Sequence, residues 1–190
     1  MLRLLLFLWF LLPALAAIAE PVRYRLDPAG SEVRFLYSVG GVPGEGTMPV
    51  KSARMQIDFA RLDRSSAEVV LDVASIRAST RLATDALRSQ SMLDAAAYPE
   101  IRFVSRSVSG SVAAGAAISG RVTIRGVTKP LVLNAKLYRP PGSAAGDLSR
   151  LTVILTGTIN RHDFGADGYG ELVSERVELR IRAQLAAAGG

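Results

Sequence analysis

The sequence predicts a mainly β protein, a single antiparallel barrel of eight strands with one inserted helix, on three observations. Apolar and polar residues alternate with period two in eight separate stretches. Clusters of glycine, proline and small polar residues separate those stretches, and only residues 80–97 depart toward helical spacing.

In the first stretch, Val33, Phe35, Tyr37 and Val39 alternate with Glu32, Arg34 and Ser38, Leu36 being the exception. One face is apolar and the other mostly polar, the signature of a half-buried strand. Gly40-Gly41 and Pro43-Gly44 then read as turn. The alternation resumes at Met55, Ile57 and Phe59 around Gln56 and Asp58, and again at Val69, Leu71 and Val73 around Asp72. From Thr80 to Ala97 an uneven helical stripe follows, made by Leu82, Ala86, Leu87, Gln90 and Leu93, with Ser79 or Thr80 as N-cap and Pro99 beyond the far end. Ile101 and Phe103 flank Arg102 in the fourth strand, which Ser109-Gly110 ends. Ile118, Val122 and Ile124 make the fifth, and Gly126 to Pro130 the turn after it, since glycine accepts positive φ and proline opens a strand without needing a donor. Leu131, Leu133, Ala135 and Leu137 form the sixth strand, and Pro140 to Gly146 the next loop. Leu151, Val153, Leu155 and Ile159 form the seventh, and Gly165 to Gly170 separates it from Val177, Leu179, Ile181, Ala183 and Leu185 in the eighth.

Eight one-faced strands must cover their apolar side either by stacking as two sheets or by closing, and closure also removes the exposed edges that invite aggregation. An eight-stranded barrel is the size at which the interior either fills with side chains or holds one small ligand. Alternation alone does not separate these outcomes, and a packed core is the ordinary one. Short or flexible residues such as Val33, Val39, Met55, Val69, Val73 and Ala135 would leave room near the axis beside Phe35, Tyr37, Phe59 and Phe103.

Residues 1–19 have the form of a cleaved signal peptide: Arg3, an apolar run from Leu4 to Leu12, then Ala17-Ile18-Ala19 before Glu20. The run is shorter than the roughly 20 residues of a spanning helix, so residues 20–190 are expected to fold as one exported domain, in the periplasm. Removing nineteen of 190 residues leaves 171, enough chain for a sizeable core. The chain has no cysteine, so packing and backbone pairing must hold it together. With His162 the only histidine, most zinc sites and Ser/His/Asp schemes lack a part, and no metal or cofactor is expected. The formal charge of +6 is spread over arginines that alternate with acids or apolar residues, unlike the concentrated basic and aromatic patches of nucleic-acid binders. Contact with a membrane surface is easier to support, because a guanidinium suits phosphate.

Several landmarks in order carry a resemblance to a known family. They are Tyr24-Arg25-Leu26-Asp27-Pro28 with Ser31 and Phe35, Ile57-Asp58, Ser75-Ile76, and Asp85 with Leu87. They continue as Met92-Leu93-Asp94, Tyr98-Pro99-Glu100-Ile101-Arg102-Phe103, Gly120 with the run Thr123 to Pro130, and Asn160-Arg161-His162-Asp163-Phe164-Gly165. Together these resemble the YceI-like family of periplasmic, polyisoprenoid-binding, lipocalin-like proteins. The resemblance implies a lipocalin-like barrel with a long apolar tunnel for an isoprenoid or similar amphiphile, partly covered by the inserted helix. Two positions depart from the family pattern: Gly30 stands where a histidine is usual, and Val39 to Gly44 replaces a segment that often contains another.

On this reading the tunnel candidates are Val33, Phe35, Tyr37, Val39, Met55, Ile57, Val69, Leu71, Val73, Leu87 and Phe103, with Arg161 as a rim contact for a polar head group. Arg161 has a structural alternative, pairing with Asp163 to pin a loop while Phe164 plugs the end. Asp58 with Asp63 and Asp85 with Asp94 lack a partner that would tune either pair for catalysis, so solvated or capping roles are expected of them. The function that follows is a binding or carrier protein for a polyisoprenoid or other long-chain amphiphile. Its rivals are a packed barrel acting as an envelope interaction module and an enzyme acting on an isoprenoid quinone, the latter disfavoured by the missing cysteine, histidine cluster and nucleophile elbow.

Overall fold

The computed structural model describes residues 21–188, so the leader read over residues 1–19 lies outside the described residues. Eleven strands are assigned: β1 (Val22–Leu26), β2 (Glu32–Val39), β3 (Val42–Met48), β4 (Val50–Ile57), β5 (Ser66–Asp72), β6 (Arg77–Ala78), β7 (Glu100–Ser111), β8 (Gly115–Ile124), β9 (Val127–Tyr138), β10 (Arg150–Asn160) and β11 (Arg176–Ala187). Among the described residues one α-helix, α1 (Arg81–Arg88), lies between β6 and β7.

The pairing reduces these eleven strands to eight staves. β11 bonds to β2 through residues 178–182 and to β1 through residues 185–187, so β1 and β2 are two halves of one stave. β3 and β4 likewise share a stave that pairs with it, and β5 and β6 pair with β4 and β3 in turn. From there β7, β8, β9, β10 and β11 follow as antiparallel neighbours, and β11 returns to β1. The barrel is closed, with eight antiparallel staves in chain order, and each predicted strand is one of them.

The first three staves are bent for local reasons. Between β1 and β2, Asp27 accepts from Ala29 N–H, and the Ser31 hydroxyl takes over the Gln184 N–H that a straight strand would have bonded. Pro49, without an N–H, divides β3 from β4. After β5, the Asp72 carboxylate accepts from Ala74 N–H at 3.0 Å and from the Ser75 hydroxyl at 2.6 Å, turning the chain so that Val73 and Ile76 point into the core. The Ser75 hydroxyl holds the Asp72 carboxyl below the usual carboxylate range. A depressed folded-state pKa gives stability that is full above about pH 4 and is lost as pH falls through the lower folded value. Ser75→Ala is therefore expected to lower stability at neutral pH, with the gap to wild type closing in acid; a gap that stays constant in urea melts down to about pH 2 would sink this assignment.

Four expectations need correction. The turn read over Gly126 to Pro130 is only Arg125-Gly126, both at positive φ, and Val127 to Pro130 already pair with β8 as part of β9. Pro43-Gly44 is not turn but part of β3, opposite Ser38 and Tyr37; only Gly40 and Gly41, both at positive φ, make the two-residue hairpin turn. β3 shows no clear alternation because its two central inward positions are glycines: a Cβ on Gly46 would lie 2.3 Å from the Phe35 ring, and one on Gly44 2.8 Å from Tyr37. Ser109-Gly110 lies within β7, whose turn comes at residues 112–114. The helix is half the predicted length. Thr80 caps it by accepting from Ala83 N–H, but Ser89 is extended and its hydroxyl donates to the Ala86 carbonyl, after which residues 89–99 run as successive turns.

Candidate binding site

The closed barrel surrounds a cavity of about 720 Å³, so the interior is not packed solid. Its wall runs from Leu62, Ser111 and Val112 at one end, past Met55, Val69, Phe103, Leu133, Leu155 and Ile181, to Leu87, Met92, Phe164 and Leu172 at the other. Apolar carbon dominates; the polar exceptions, among them Ser31, Gln56, Ser65, Ser111, Arg161 and Arg182, are scattered. Met55, Val69, Leu71 and Phe103 belong to the inner face yet are only half-buried, because their neighbour across the lumen is empty space. Small residues keep it so: Ala53, Ala116, Ala135 and Ala183 all line the wall.

Ten of the eleven tunnel candidates line this cavity: Val33, Phe35, Tyr37, Val39, Met55, Ile57, Val69, Leu71, Leu87 and Phe103. Phe35 and Tyr37 stack with ring centroids 6.0 Å apart. Burial pushes the Tyr37 phenol up, so it remains neutral at ordinary pH. The correction is Val73. It is 1% exposed but sits in the turn fixed by Asp72 and packs in the wall instead of on the lumen.

Arg161 is not an open rim residue. It is 4% exposed, and its five donors are spent within the 161–175 loop. Nε donates to the Ser174 carbonyl at 3.1 Å, Nη1 to those of Ala166 and Gly168, and Nη2 to those of Gly170 at 2.7 Å and Val173 at 3.0 Å. A guanidinium has five N–H groups, so none remains for a head group. The proposed pairing with Asp163 is also not formed: Asp163 is exposed, and carbonyl oxygens surround the Arg161 charge. Phe164 is buried and lines that end of the cavity. His162 points away, with Nδ1 2.7 Å from Asp167 Oδ1.

Three of the four carboxylates considered have structural partners. Asp58 is buried and accepts from Ala60 and Arg61 N–H, shaping the loop after β4, while Asp63 pairs with Arg61 and Asp85 with Arg81. Sequence reasoning missed the loop contributions, Met92, Ala166, Tyr169, Leu172 and Val173, for which no periodicity exists to be read.

The two ends of the tunnel differ. One is built by the Gly40-Gly41 hairpin, α1, residues 89–99 and the 161–175 loop, interlocked by bonds from Gly40 N–H to the Leu172 carbonyl and from Gly168 N–H to the Ser91 carbonyl. The other, formed by residues 58–65, 112–114 and 139–149, carries exposed Arg23, Arg25, Arg61, Arg64, Arg106, Arg139 and Arg150.

Comparison with known proteins agrees with this architecture. The YceI-like domain family matches residues 24–185. A UPF0312 protein of Pseudomonas savastanoi pv. phaseolicola is 32% identical over 136 residues, covering 72% of this chain and 70% of the relative. A UPF0312 protein of Pseudomonas putida strain W619 is 31% identical over 172 residues, covering 89% and 88%. Among solved structures, Burkholderia cenocepacia BcnA superposes with a TM-score of 0.73 at 23% identity, over 86% of this chain and all of that one. A polyisoprenoid binding domain from Saccharophagus degradans, implicated in plant cell wall breakdown, superposes with a TM-score of 0.62 at 17% identity, over 88% of this chain and 99% of that one.

Proposed function

The chain belongs to the YceI-like domain family, and on that premise we propose that it is an exported carrier that sheathes the apolar chain of a polyisoprenoid or similar long amphiphile. The observation that carries this reading is the cavity: about 720 Å³ of apolar-walled space reaching both ends of a closed barrel. Its volume falls within the usual range of ligand sites, roughly 300–1,000 Å³. Burying a five-carbon prenyl unit is worth up to about 4 kcal/mol before ordering costs, so a few units dominate the affinity. Chain length and shape then select the ligand more than head-group detail does. The leader-like residues 1–19 support a periplasmic site of action. Binding instead of turnover fits the wall, whose few polar groups are dispersed while His162 is engaged outside it.

The test is to express the whole chain with its own leader in a bacterium, purify the processed protein gently and compare native with denaturing mass spectra. A bound mass that disappears on denaturation and proves on extraction to be a prenyl lipid is the expected result. Folded protein that is empty, and stays empty when offered polyprenyl lipids and isoprenoid quinones, would overturn the carrier reading in favour of an interaction module.

A further inference from the structure

The apolar lining does not stop at the α1 end of the tunnel. Val42 at the hairpin is 67% exposed, Leu82 on α1 is 82%, and Tyr169 and Leu172 of the 161–175 loop are 51% and 55%. All four also line the cavity, as does Val39 beside them. Three segments distant in sequence therefore bring large apolar side chains to one opening, and the surface they form continues into the lumen. Scattered exposed apolar residues need no explanation, but a convergent ring does.

We propose that this ring docks on a zwitterionic lipid bilayer, making the α1 end the portal through which a lipid chain passes between membrane and tunnel. The inference rests on the carrier reading. The continuity argues for lipid as the occupant: with the ring set among the acyl chains, a prenyl tail moves from bilayer to lumen without any methylene crossing water, which is the costly step for an apolar chain. Charge argues for a zwitterionic surface. The ring is flanked by Arg77 and Arg81 but also by Asp85, Asp167 and Glu171, a mixed set without the excess of cations that anionic bilayers select. That excess is at the opposite end, where fewer large apolar side chains are exposed.

Flotation of the processed protein with phosphatidylcholine vesicles tests the proposal. Wild type is expected to float at low salt and at about 0.5 M salt alike, since apolar insertion is not screened. Val42→Glu and Leu82→Glu, at positions already exposed, should each weaken partitioning about tenfold or more, while Arg64→Glu/Arg139→Glu at the other end should float as wild type. Flotation that requires anionic lipid, vanishes in salt and is lost in the arginine variant would overturn the assignment. So would lipid-free dimers that Val42→Glu dissolves, which would give the ring to a second copy of the chain. Loading of wild type with a prenyl lipid dispersed in detergent separates the two ideas: loading without flotation overturns the portal and leaves the carrier, whereas failure to load overturns the carrier itself.

Discussion

Replacing Leu71 by arginine is expected to weaken capture of a polyprenyl lipid by at least about 100-fold while leaving a folded barrel. Leu71 lies on β5 between Val50 and Ile101, and its side chain is half-buried because it faces the lumen. An arginine there meets apolar carbon and, when empty, water; binding a prenyl chain would strip that water from a cation with no carboxylate among the lining residues to receive it. The empty barrel loses little, since the new group projects into existing space. Ala53→Phe, one strand away on β4, blocks the same region without charge and should reduce affinity by occupying volume. Both are checked by lipid titration followed by native mass spectrometry, with circular dichroism verifying the fold. Wild-type affinity in folded Leu71→Arg and Ala53→Phe proteins would mean that the ligand does not pass this part of the tunnel.

How much of this site was legible in the sequence depends on what kind of signal each residue leaves. Strands whose inward positions carry side chains announce themselves by alternation, so all eight staves are legible from period two, whereas Leu87 comes from the helical stripe and the idea of a tunnel comes from the family resemblance, not from the period. β3 is silent for the converse reason. Its inward Gly44 and Gly46 give up their side chains so that Tyr37 and Phe35 of β2 can lie over them, a relation between two strands that neither shows by itself. Val73 has the right parity but the wrong backbone, because Asp72 and Ser75 turn the chain one residue too early. The cavity itself is a property of summed volumes: the alanines and half-filled layers that create it look, in sequence, like any small core residues. The loop residues at the α1 end are placed by backbone bonds to Ser38, Gly40 and Ser91 and by Arg161, and such long-range bonding has no periodic trace.

Arg161→Met is expected to destabilise the protein by about 3–5 kcal/mol, the cost typical of removing one member of a buried, fully bonded polar network. For a domain of this size that corresponds to a fall in Tm of roughly 6–20 °C. Five carbonyls, at Ala166, Gly168, Gly170, Val173 and Ser174, lose their shared donor at once, and Val173 is buried where water cannot readily replace it. Arg161→Lys should fare little better, since an ammonium offers three donors from one point and cannot span the ring of acceptors that the planar guanidinium reaches. The local consequence is read by amide hydrogen exchange, which should accelerate over residues 165–174 before the staves open. That loop carries Phe164, Tyr169, Leu172 and Val173 to the tunnel end, so its loosening should also weaken vesicle flotation. A head-group role predicts a different pattern: unchanged stability and exchange in both variants, affinity for an anionic prenyl lipid lost in Arg161→Met, and much of it restored by Arg161→Lys, because a lysine still supplies the charge. Observing that pattern would return Arg161 to the ligand and leave the 161–175 loop to be held by its bonds to the hairpin and to Ser91 alone.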